Sequence, residues 1–366
     1  MRRDIGNEET EALLKRLEND IAKEYEQAVR EVSEKLDDYT RRFAVKDEIK
    51  RKSVDAGLIT KEEYIKWRQQ QILVEIQHRD MIADMARTLH KANEEAISTA
   101  YDYLPDVFAE NHNYATYLIE TEAKLNTSYA LYDKTTVRRL IRDTPKLLPD
   151  PRRGSKTDKR LRENKDLRWN RQKLFSAVTQ GILQGESIPK IAKRLENVGE
   201  MDHRAAIRNA RTMVTGAQNA GRMEAARRAN DMGIQTVNVW VAALDMRTRH
   251  EHRELDGQRK DVDEPFVVPS SKEEIRFPGD PEASPHMVYN CRCTLIQQVK
   301  GKEYDIRVPG VYDDSKLDGM SYEEWKGSKV EKPNKITLPE EKSAVIRGGY
   351  IAEYRKLRKE LDNSKK

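Results

Sequence analysis

Apolar residues recur at every third or fourth position through the first part of the chain, and the residues between them are mostly charged. The first such series is Leu14, Leu17, Ile21, Tyr25, Ala28, Val32 and Leu36. Gaps that alternate between three and four follow the period of an α-helix and place one apolar stripe on a charged surface. Charged residues make up 36% of the chain. Together these features predict long, solvated helices that bury a narrow seam.

The same period predicts a second helical run over residues 61–103. Gly57 marks the break before this run, and Pro105 is expected near its end because proline removes a helical hydrogen bond. A short basic helix follows over residues 136–148 and ends at Pro149 and Pro151.

The segment 152–160 is predicted to be a basic loop. Residues 134–173 contain 15 Lys and Arg against 5 Asp and Glu, whereas the net charge of the whole chain is only +5. Such a run is either a solvated linker or a surface that neutralises phosphates without reading bases. The candidate DNA-binding residues are Arg152, Arg153, Lys156, Lys159, Arg160 and Arg162.

Three further helices are predicted over residues 169–184, 187–197 and 202–233. Gly185 ends the first, Ser187 and Pro189 open the second, and Asp202 caps the third. The third helix is rich in alanine, so neighbouring helices can approach it closely.

The composition changes after Gly233, where β-branched and aromatic residues predict a strand over 234–241. A second strand is expected over 291–299, after a loop rich in proline. The predicted fold is mainly α, with long charged helices in the N-terminal half, a small C-terminal α+β domain and an extended tail. The predicted divisions are a helical domain (1–150), a basic linker and helical connector (151–204), the α+β domain (205–300) and a tail (301–366) with a basic helix at 350–361.

The two cysteines, Cys291 and Cys293, are too close in sequence to form an unstrained disulfide readily. A reduced, intracellular assembly site is therefore expected. On a strand the two side chains share one face, where His252 and a fourth ligand from His250, His286 or Asp256 could complete a zinc site. The alternative is a pair of half-buried thiols with His252 hydrogen-bonded to the loop.

Charged residues after the first predicted strand allow two interpretations. Asp245, Arg247 and Arg249 either staple this loop to the turn at Asn290, or include a catalytic carboxylate in a cleft. The stapling interpretation is favoured. Asp256–Gly257 has the composition of a turn.

The order of these motifs resembles the C-terminal domain of the Mu-F-like phage head-morphogenesis family. The residues that carry the resemblance are Trp240, Asp245, Arg247, Thr248, Arg249, His250, Leu255, Asp256, Gly257, Phe277, Pro278, Gly279, Asn290, Cys291, Arg292 and Cys293. The resemblance covers about residues 169–325. Met213 departs from it, because an acidic residue is expected there, and this puts in doubt a salt bridge from that helix.

The resemblance implies a minor head protein that acts in head morphogenesis and in DNA packaging or ejection rather than a stand-alone enzyme. Its implied partners are the portal protein, the major capsid or scaffolding protein, and genomic DNA bound without sequence preference. The implied location is the capsid interior near the portal, with the host cytoplasm as the place of assembly.

Two other classes of function are considered. A metal-dependent hydrolase or nuclease would use His250, His252 and Asp245 with a metal ion, although the two histidines lack the four-residue spacing of a helical metal site. A cellular nucleic-acid adaptor explains the basic segment but not the ordered C-terminal motifs. No apolar run is long enough for a membrane span, so no membrane partner is expected.

Overall fold

The computed structural model describes residues 4–77, 80–123, 130–150, 155–184, 186, 188–243, 245–300 and 320–331. The predicted fold class is confirmed, because long helices are followed by small antiparallel sheets in the C-terminal part. The first six helices are α1 (Ile5–Asp55), α2 (Lys61–Gln77), α3 (Asp80–Ala123), α4 (Lys134–Asp143), α5 (Lys156–Leu183) and α6 (Ile188–Asp231). No helix within these described ranges is long and apolar enough to cross a membrane.

Helices α1, α3 and α6 form the body of the protein. The predicted stripe of α1 is buried at Leu17, Ile21, Tyr25, Ala28 and Val32. Residues later in α1 contact residues earlier in α3 and α6. Asn111 of α3 donates to Thr10, and Tyr103 donates to Asp20. The contacts between α1 and α6 have the same order, so α1 is antiparallel to both α3 and α6.

Helix α3 does not end near Pro105, as the sequence predicted, but continues to Ala123. The missing N–H of the proline costs one helical hydrogen bond. Leu104, Val107 and Phe108 are almost completely buried around it. Burial of apolar side chains on both sides of the proline stabilises the helix through this position.

The predicted break between residues 197 and 202 is also wrong, because α6 is one continuous helix. Gly199 lies so close to α1 that an added Cβ would be 2.8 Å from Val29. The glycine therefore serves close helix packing rather than a helix end. Asp202 is an interior residue of α6 and not a cap, whereas Gly185 and Ser187 lie outside the described residues.

The segment predicted as a basic loop is helical from Lys156 onwards, where α5 begins. A capping box opens this helix: Asp158 N donates to Ser155 Oγ at 3.1 Å, and Ser155 N donates to Asp158 at 3.2 Å. The Ser-x-x-Asp pattern at 155–158 is the sequence signal that indicates this helix start. Helix α4 ends at Asp143, earlier than predicted.

Small residues on α6 permit the close approach that the sequence predicted. A Cβ on Gly221 would be 2.4 Å from the carbonyl oxygen of Phe108, and a Cβ on Gly216 would be 2.6 Å from that of Gly279. Both distances are shorter than van der Waals contact, so any larger residue forces the backbones apart. Alanines at 206, 210, 217 and 220 are buried along the same helix.

The C-terminal part contains a three-stranded antiparallel sheet with the order β2-β1-β5. Its strands are β1 (Thr236–Val241), β2 (Arg259–Asp261) and β5 (Thr294–Val299), and a small hairpin pairs β3 (Phe266–Val267) with β4 (Glu274–Ile275). Trp240 pairs with Leu295 across β1 and β5. Two short helices, α7 (His250–Leu255) and α8 (Pro285–Val288), lie between the strands.

One hydrophobic core joins the helices to the sheet. It contains Leu17 of α1, Phe108 of α3, Ala217 of α6, and Trp240 and Leu295 of the sheet. The helical domain and the α+β domain predicted from sequence therefore share a core, and α6 runs across the predicted boundary at 204/205. The exact division into domains stays a prediction.

A buried arginine connects four elements at this junction. Arg222 of α6 is 2% exposed and binds Asp4, before α1, through two hydrogen bonds of 2.9 and 2.7 Å. The same guanidinium donates to Asn111 Oδ1 of α3 and to the Leu295 carbonyl of β5, each at 3.0 Å. A buried charge with a carboxylate and two further acceptors is well compensated.

Part of the tail that was predicted to be extended forms a helix, α9 (Tyr322–Glu331), which packs on α3. Tyr322 contacts Tyr114 edge to face at 5.3 Å. Trp325 Nε1 donates to Glu120 at 2.7 Å, and Lys329 pairs with the same carboxylate at 2.7 Å. The predicted basic helix at 350–361 lies outside the described residues, as does the rest of the tail.

We expect Arg222→Ala to lower the free energy of unfolding by roughly 3–5 kcal/mol, because the substitution leaves Asp4 and two further acceptors without their partner. Urea unfolding followed by circular dichroism measures this change. Arg211→Ala is the control: Arg211 is half exposed and pairs with Glu18 at 2.5 Å, so its loss costs below about 1 kcal/mol. Equal costs for the two variants would contradict the central role of Arg222.

Candidate functional site

The motif residues lie where the chain leaves β1 and returns to β5. Trp240, on β1, is completely buried, and its ring contacts His252 at 5.6 Å and Phe266 at 5.3 Å. The turn at Asp256–Gly257 closes back on this strand: Gly257 N donates to the Trp240 carbonyl, and Ala242 N donates to Asp256 Oδ1. Gly257 has φ +75°, which explains the glycine of this turn.

Three candidate metal ligands converge in this region. His252 of α7, Cys291 and Cys293 are each at most 3% exposed. His252 Nδ1 lies 3.5 Å from Cys291 Sγ and 3.3 Å from Cys293 Sγ. The ligand atoms of the three residues lie within 4.8 Å of one another. The structure therefore brings together the His–Cys–Cys set that the sequence predicted.

The other ring nitrogen fixes the orientation of the histidine. His252 Nε2 lies 2.8 Å from the Met287 carbonyl of α8. A carbonyl accepts but cannot donate, so Nε2 carries the proton and Nδ1 presents a lone pair to the two sulfurs. The backbone of Ala243 acts to lower the pKa of Cys293, and the backbone of Cys293 acts to lower the pKa of Cys291.

The two thiols differ in acidity. A hydrogen bond from Cys291 lowers the pKa of Cys293, and His252 lowers it further against the opposing effect of burial. The pKa of Cys291 is raised by the same hydrogen bond and by burial. Cys293 is therefore the sulfur on which negative charge is favoured first.

The candidate fourth ligands do not join this set. His286 of α8 is exposed and lies 3.0 Å from Glu273, and His250 of α7 is exposed and lies 3.4 Å from Glu254. Asp256 accepts the Ala242 amide in the turn. Among the residues that the structure describes, the candidate metal group thus has three members.

The prediction that both cysteines lie on one face of a strand was wrong. Strand β5 begins at Thr294, so Cys291 and Cys293 precede it. They still share a side because the segment is held from α6: Thr215 Oγ1 donates to the Cys291 carbonyl at 3.0 Å, and Asn219 Nδ2 donates to the Cys293 carbonyl at 3.4 Å.

Asp245 and Arg292 connect the loop after β1 to the segment before β5. Arg292 Nη2 donates to Asp245 Oδ1 at 2.7 Å, and Nη1 contacts the other oxygen. This hydrogen bond from Arg292 is the main cause that holds the pKa of Asp245 well below its usual range. The stapling interpretation requires a contact of this kind between the two segments. The Asp245 carboxylate is thereby bound to Arg292 rather than free to act on a substrate.

The remaining motif residues support the same connection. Thr248 Oγ1 donates to the Ala243 carbonyl and lies 3.2 Å from Asp245 Oδ1. Arg249 donates to the Tyr289 carbonyl, next to Asn290, whose φ of +53° makes the turn. The side chain of Arg247 is 83% exposed and lies 3.8 Å from Asp245, so it contributes least.

A polar face of α6, which was not predicted from the sequence, holds this site. Thr215, Asn219 and Arg222 are buried at positions i, i+4 and i+7, which place them on one side of the helix. Asn219 Oδ1 also accepts the Leu295 amide at 2.8 Å. Polar residues at helical spacing among alanines were the available signal. Met213, which departs from the family pattern, packs against the main core, while Arg211 in the preceding turn still forms its salt bridge to Glu18.

The candidate DNA-binding residues lie far from this cluster in the chain. Lys156, Lys159, Arg160 and Arg162 are exposed on the first turns of α5. Arg152 and Arg153 lie outside the described residues. The structure thus presents four of the six cations on one helix.

Residues 172–296 match the family described as Phage Mu protein F like protein. The matched region contains the C-terminal part of α5, all of α6, strands β1 and β2, the start of β5 and the His–Cys–Cys cluster. The resemblance predicted from the ordered motifs is therefore confirmed: the chain contains a Mu-F-like region.

Three similar proteins extend this comparison. The chain is 26% identical to Minor head protein GP7 of Bacillus phage SPP1 over 75% of this chain and 83% of that protein. It is 25% identical to NAD(+)--arginine ADP-ribosyltransferase EFV of Enterococcus faecalis over 70% of this chain, and it spans about half, 50%, of that protein. It is 32% identical to the uncharacterized protein YqbB of Bacillus subtilis over 34% of this chain and 41% of that protein. No solved structure matches the chain.

We expect Arg292→Ala to increase hydrogen exchange several-fold at the amides of Arg247 and Thr248, which donate to Asp245. Because the pKa of Asp245 is lowered in the folded state, the wild-type contact persists above the ordinary aspartate pKa and is lost as the pH falls through the lower value. Arg247→Ala is the control and should leave exchange at Thr248 unchanged. Equal exchange in Arg292→Ala and wild type would refute the staple.

Proposed function

We propose that this chain is a structural minor head protein of the virion, located in the capsid interior near the portal and assembled in the host cytoplasm. The observation that carries the proposal is the similarity to Minor head protein GP7, which spans 83% of that protein. A match over 280 residues extends well beyond the Mu-F-like region at 172–296. The proposed partners are the portal protein and the major capsid or scaffolding protein.

An exposed apolar surface suits such a partner. Val45, Ile49, Leu58 and Ile65 are 62%, 61%, 76% and 46% exposed around the end of α1 and the start of α2. We define these four residues as the hairpin surface. Exposed apolar side chains of this size favour protein contact. The proposal assigns the portal contact to this surface.

Co-expression with the portal protein of the same phage tests this assignment. We expect a stable complex in size exclusion and native mass spectrometry, and we expect the double variant Ile49→Glu and Leu58→Glu to lose it, because two charges oppose burial of the hairpin surface. Met246→Glu is the control, since Met246 is 97% exposed and lies outside that surface. A folded wild-type chain that elutes apart from the portal would overturn the portal assignment.

The basic start of α5 supports contact with packaged DNA. Its cations at Lys156, Lys159, Arg160 and Arg162 are exposed on the first turns of this helix. Such a surface neutralises phosphates without reading bases. The DNA contact is proposed to be non-specific, and it serves packaging or ejection.

We expect DNA affinity to fall steeply with salt and to be independent of sequence. The triple variant Lys156→Ala, Lys159→Ala and Arg160→Ala should reduce the slope of log K against log salt by about 2 to 3, because three phosphate contacts are lost. Fluorescence anisotropy with two unrelated duplexes measures both properties.

The matched control removes the same charge elsewhere, with Lys15→Ala, Arg30→Ala and Lys61→Ala on the exposed faces of α1 and α2. It should keep the wild-type slope. Affinity that does not change between low and high salt, or an equal loss in both triple variants, would refute the contact through α5.

The geometry does not favour the hydrolase or nuclease alternative. The hydrolase predicted from the sequence would place His250, His252 and Asp245 around one metal ion. Asp245 is bound to Arg292, and His250 is paired with Glu254 away from His252. Plasmid nicking with added magnesium, manganese or zinc, compared with His252→Ala, tests this alternative directly.

The name of the Enterococcus relative suggests a second activity, but the match gives it little support. The chain spans 50% of that protein, so half of the named transferase has no counterpart in the alignment. The similarity to the SPP1 head protein covers 83% of that protein and favours a structural role.

A further inference from the structure

We propose that His252, Cys291 and Cys293 bind one zinc ion, which links α7 to the segment before β5, and that a water molecule fills the fourth position. The ligand atoms are His252 Nδ1 and the two Sγ atoms. This inference is independent of the proposed function, because a zinc ion that links α7 to the segment before β5 can serve a head protein or an enzyme.

The distances fit tetrahedral zinc. Zn–N bonds of about 2.0 Å and Zn–S bonds of about 2.3 Å place a nitrogen and a sulfur ligand about 3.5 Å apart. The observed separations between His252 Nδ1 and the two sulfurs are 3.5 and 3.3 Å. No large rearrangement is needed to admit the ion.

The arrangement around His252 Nδ1 suits a metal ion. Nδ1 has one lone pair and a sulfur at 3.5 Å and at 3.3 Å, so in a metal-free thiol pair one S–H is directed at Nδ1 and the other at the neighbouring sulfur. A metal ion among the three atoms uses the lone pair and both sulfurs together.

The surroundings are those of a metal-bound histidine. Metal-ligating histidines usually donate the other ring N–H to a carbonyl or carboxylate, which fixes the ring and increases its basicity. The Met287 carbonyl occupies that position at 2.8 Å from Nε2.

Charge balance also favours zinc in this buried place. Two thiolates and a neutral imidazole carry a charge of minus two, which a Zn²⁺ ion cancels. Burial of uncompensated charge is costly, whereas burial of a neutral cluster is not. The ion therefore allows both cysteines to be deprotonated while they remain at most 3% exposed.

The test uses the full chain, purified without an affinity tag in the presence of a reductant that does not bind metal. Elemental analysis after incubation with zinc and removal of the excess should give about one zinc per chain. Replacement by Co²⁺ should give the visible bands of a four-coordinate ion and a thiolate-to-cobalt charge-transfer band. Folded wild-type protein without zinc, or cobalt without thiolate bands, would overturn the proposal.

Variants assign the ligands. Cys293→Ser and His252→Asn should lose stoichiometric zinc, whereas His286→Asn and His250→Asn should retain it, because these exposed histidines pair with glutamates. Loss of zinc in a control variant with retention in Cys293→Ser would place the ion elsewhere and refute the assignment.

Wild-type protein provides a check that does not depend on the folding of variants. If zinc binds both sulfurs, Cys291 and Cys293 should resist a thiol reagent until a strong chelator is added, and two thiols should then react per ion released. Circular dichroism before and after chelation shows whether the helices persist. Reaction of both thiols while zinc stays bound would refute the cysteine ligands.

Discussion

The guanidinium of Arg222 is the interaction on which the arrangement of the other elements depends. A charge that is 2% exposed must be compensated inside the protein, and its partners come from the residue before α1, from α3 and from β5. These partners lie far apart in sequence, so compensation of one side chain fixes three elements against α6. Asn219 and Thr215 lie on the same face, and that face therefore positions the backbone of the two cysteines.

The sequence predicted the type of each long element but not where several of them begin and end. The period of the apolar residues was sufficient for α1, and the β-branched run after Gly233 was sufficient for β1. Local signals failed at Pro105, which was predicted near the end of a helix, and at Asp202, which was predicted to begin one, because packing between helices decided the outcome there. A proline flanked by buried side chains gives the same sequence signal as a helix breaker, and only the packing around it distinguishes the two cases.

The candidate site was predictable in part for the same reason. The ordered motif indicated that His252 lies near Cys291 and Cys293 and that Asp245 meets the turn before β5. The contribution of α6 was not predictable from the motif. Its side chains donate hydrogen bonds to backbone carbonyls, and a backbone carbonyl does not constrain the type of the residue that supplies it. Asp202 shows a similar limit: it was interpreted as a cap, but burial raises its pKa to about 7 in the interior of α6.

The docking of α9 has a consequence for the order in which the chain folds. Ile5 packs in one cluster with Tyr114, Tyr117, Tyr322 and Trp325, so the first turn of α1 completes its packing only after some 320 residues have been synthesised. At about 5 to 20 residues per second, that delay is tens of seconds. During this interval the apolar stripe of α1 has α3 as a partner before α6 and α9 exist. Contacts between residues so far apart in sequence form slowly. Until they form, the apolar stripe of α1 is partly exposed to other chains.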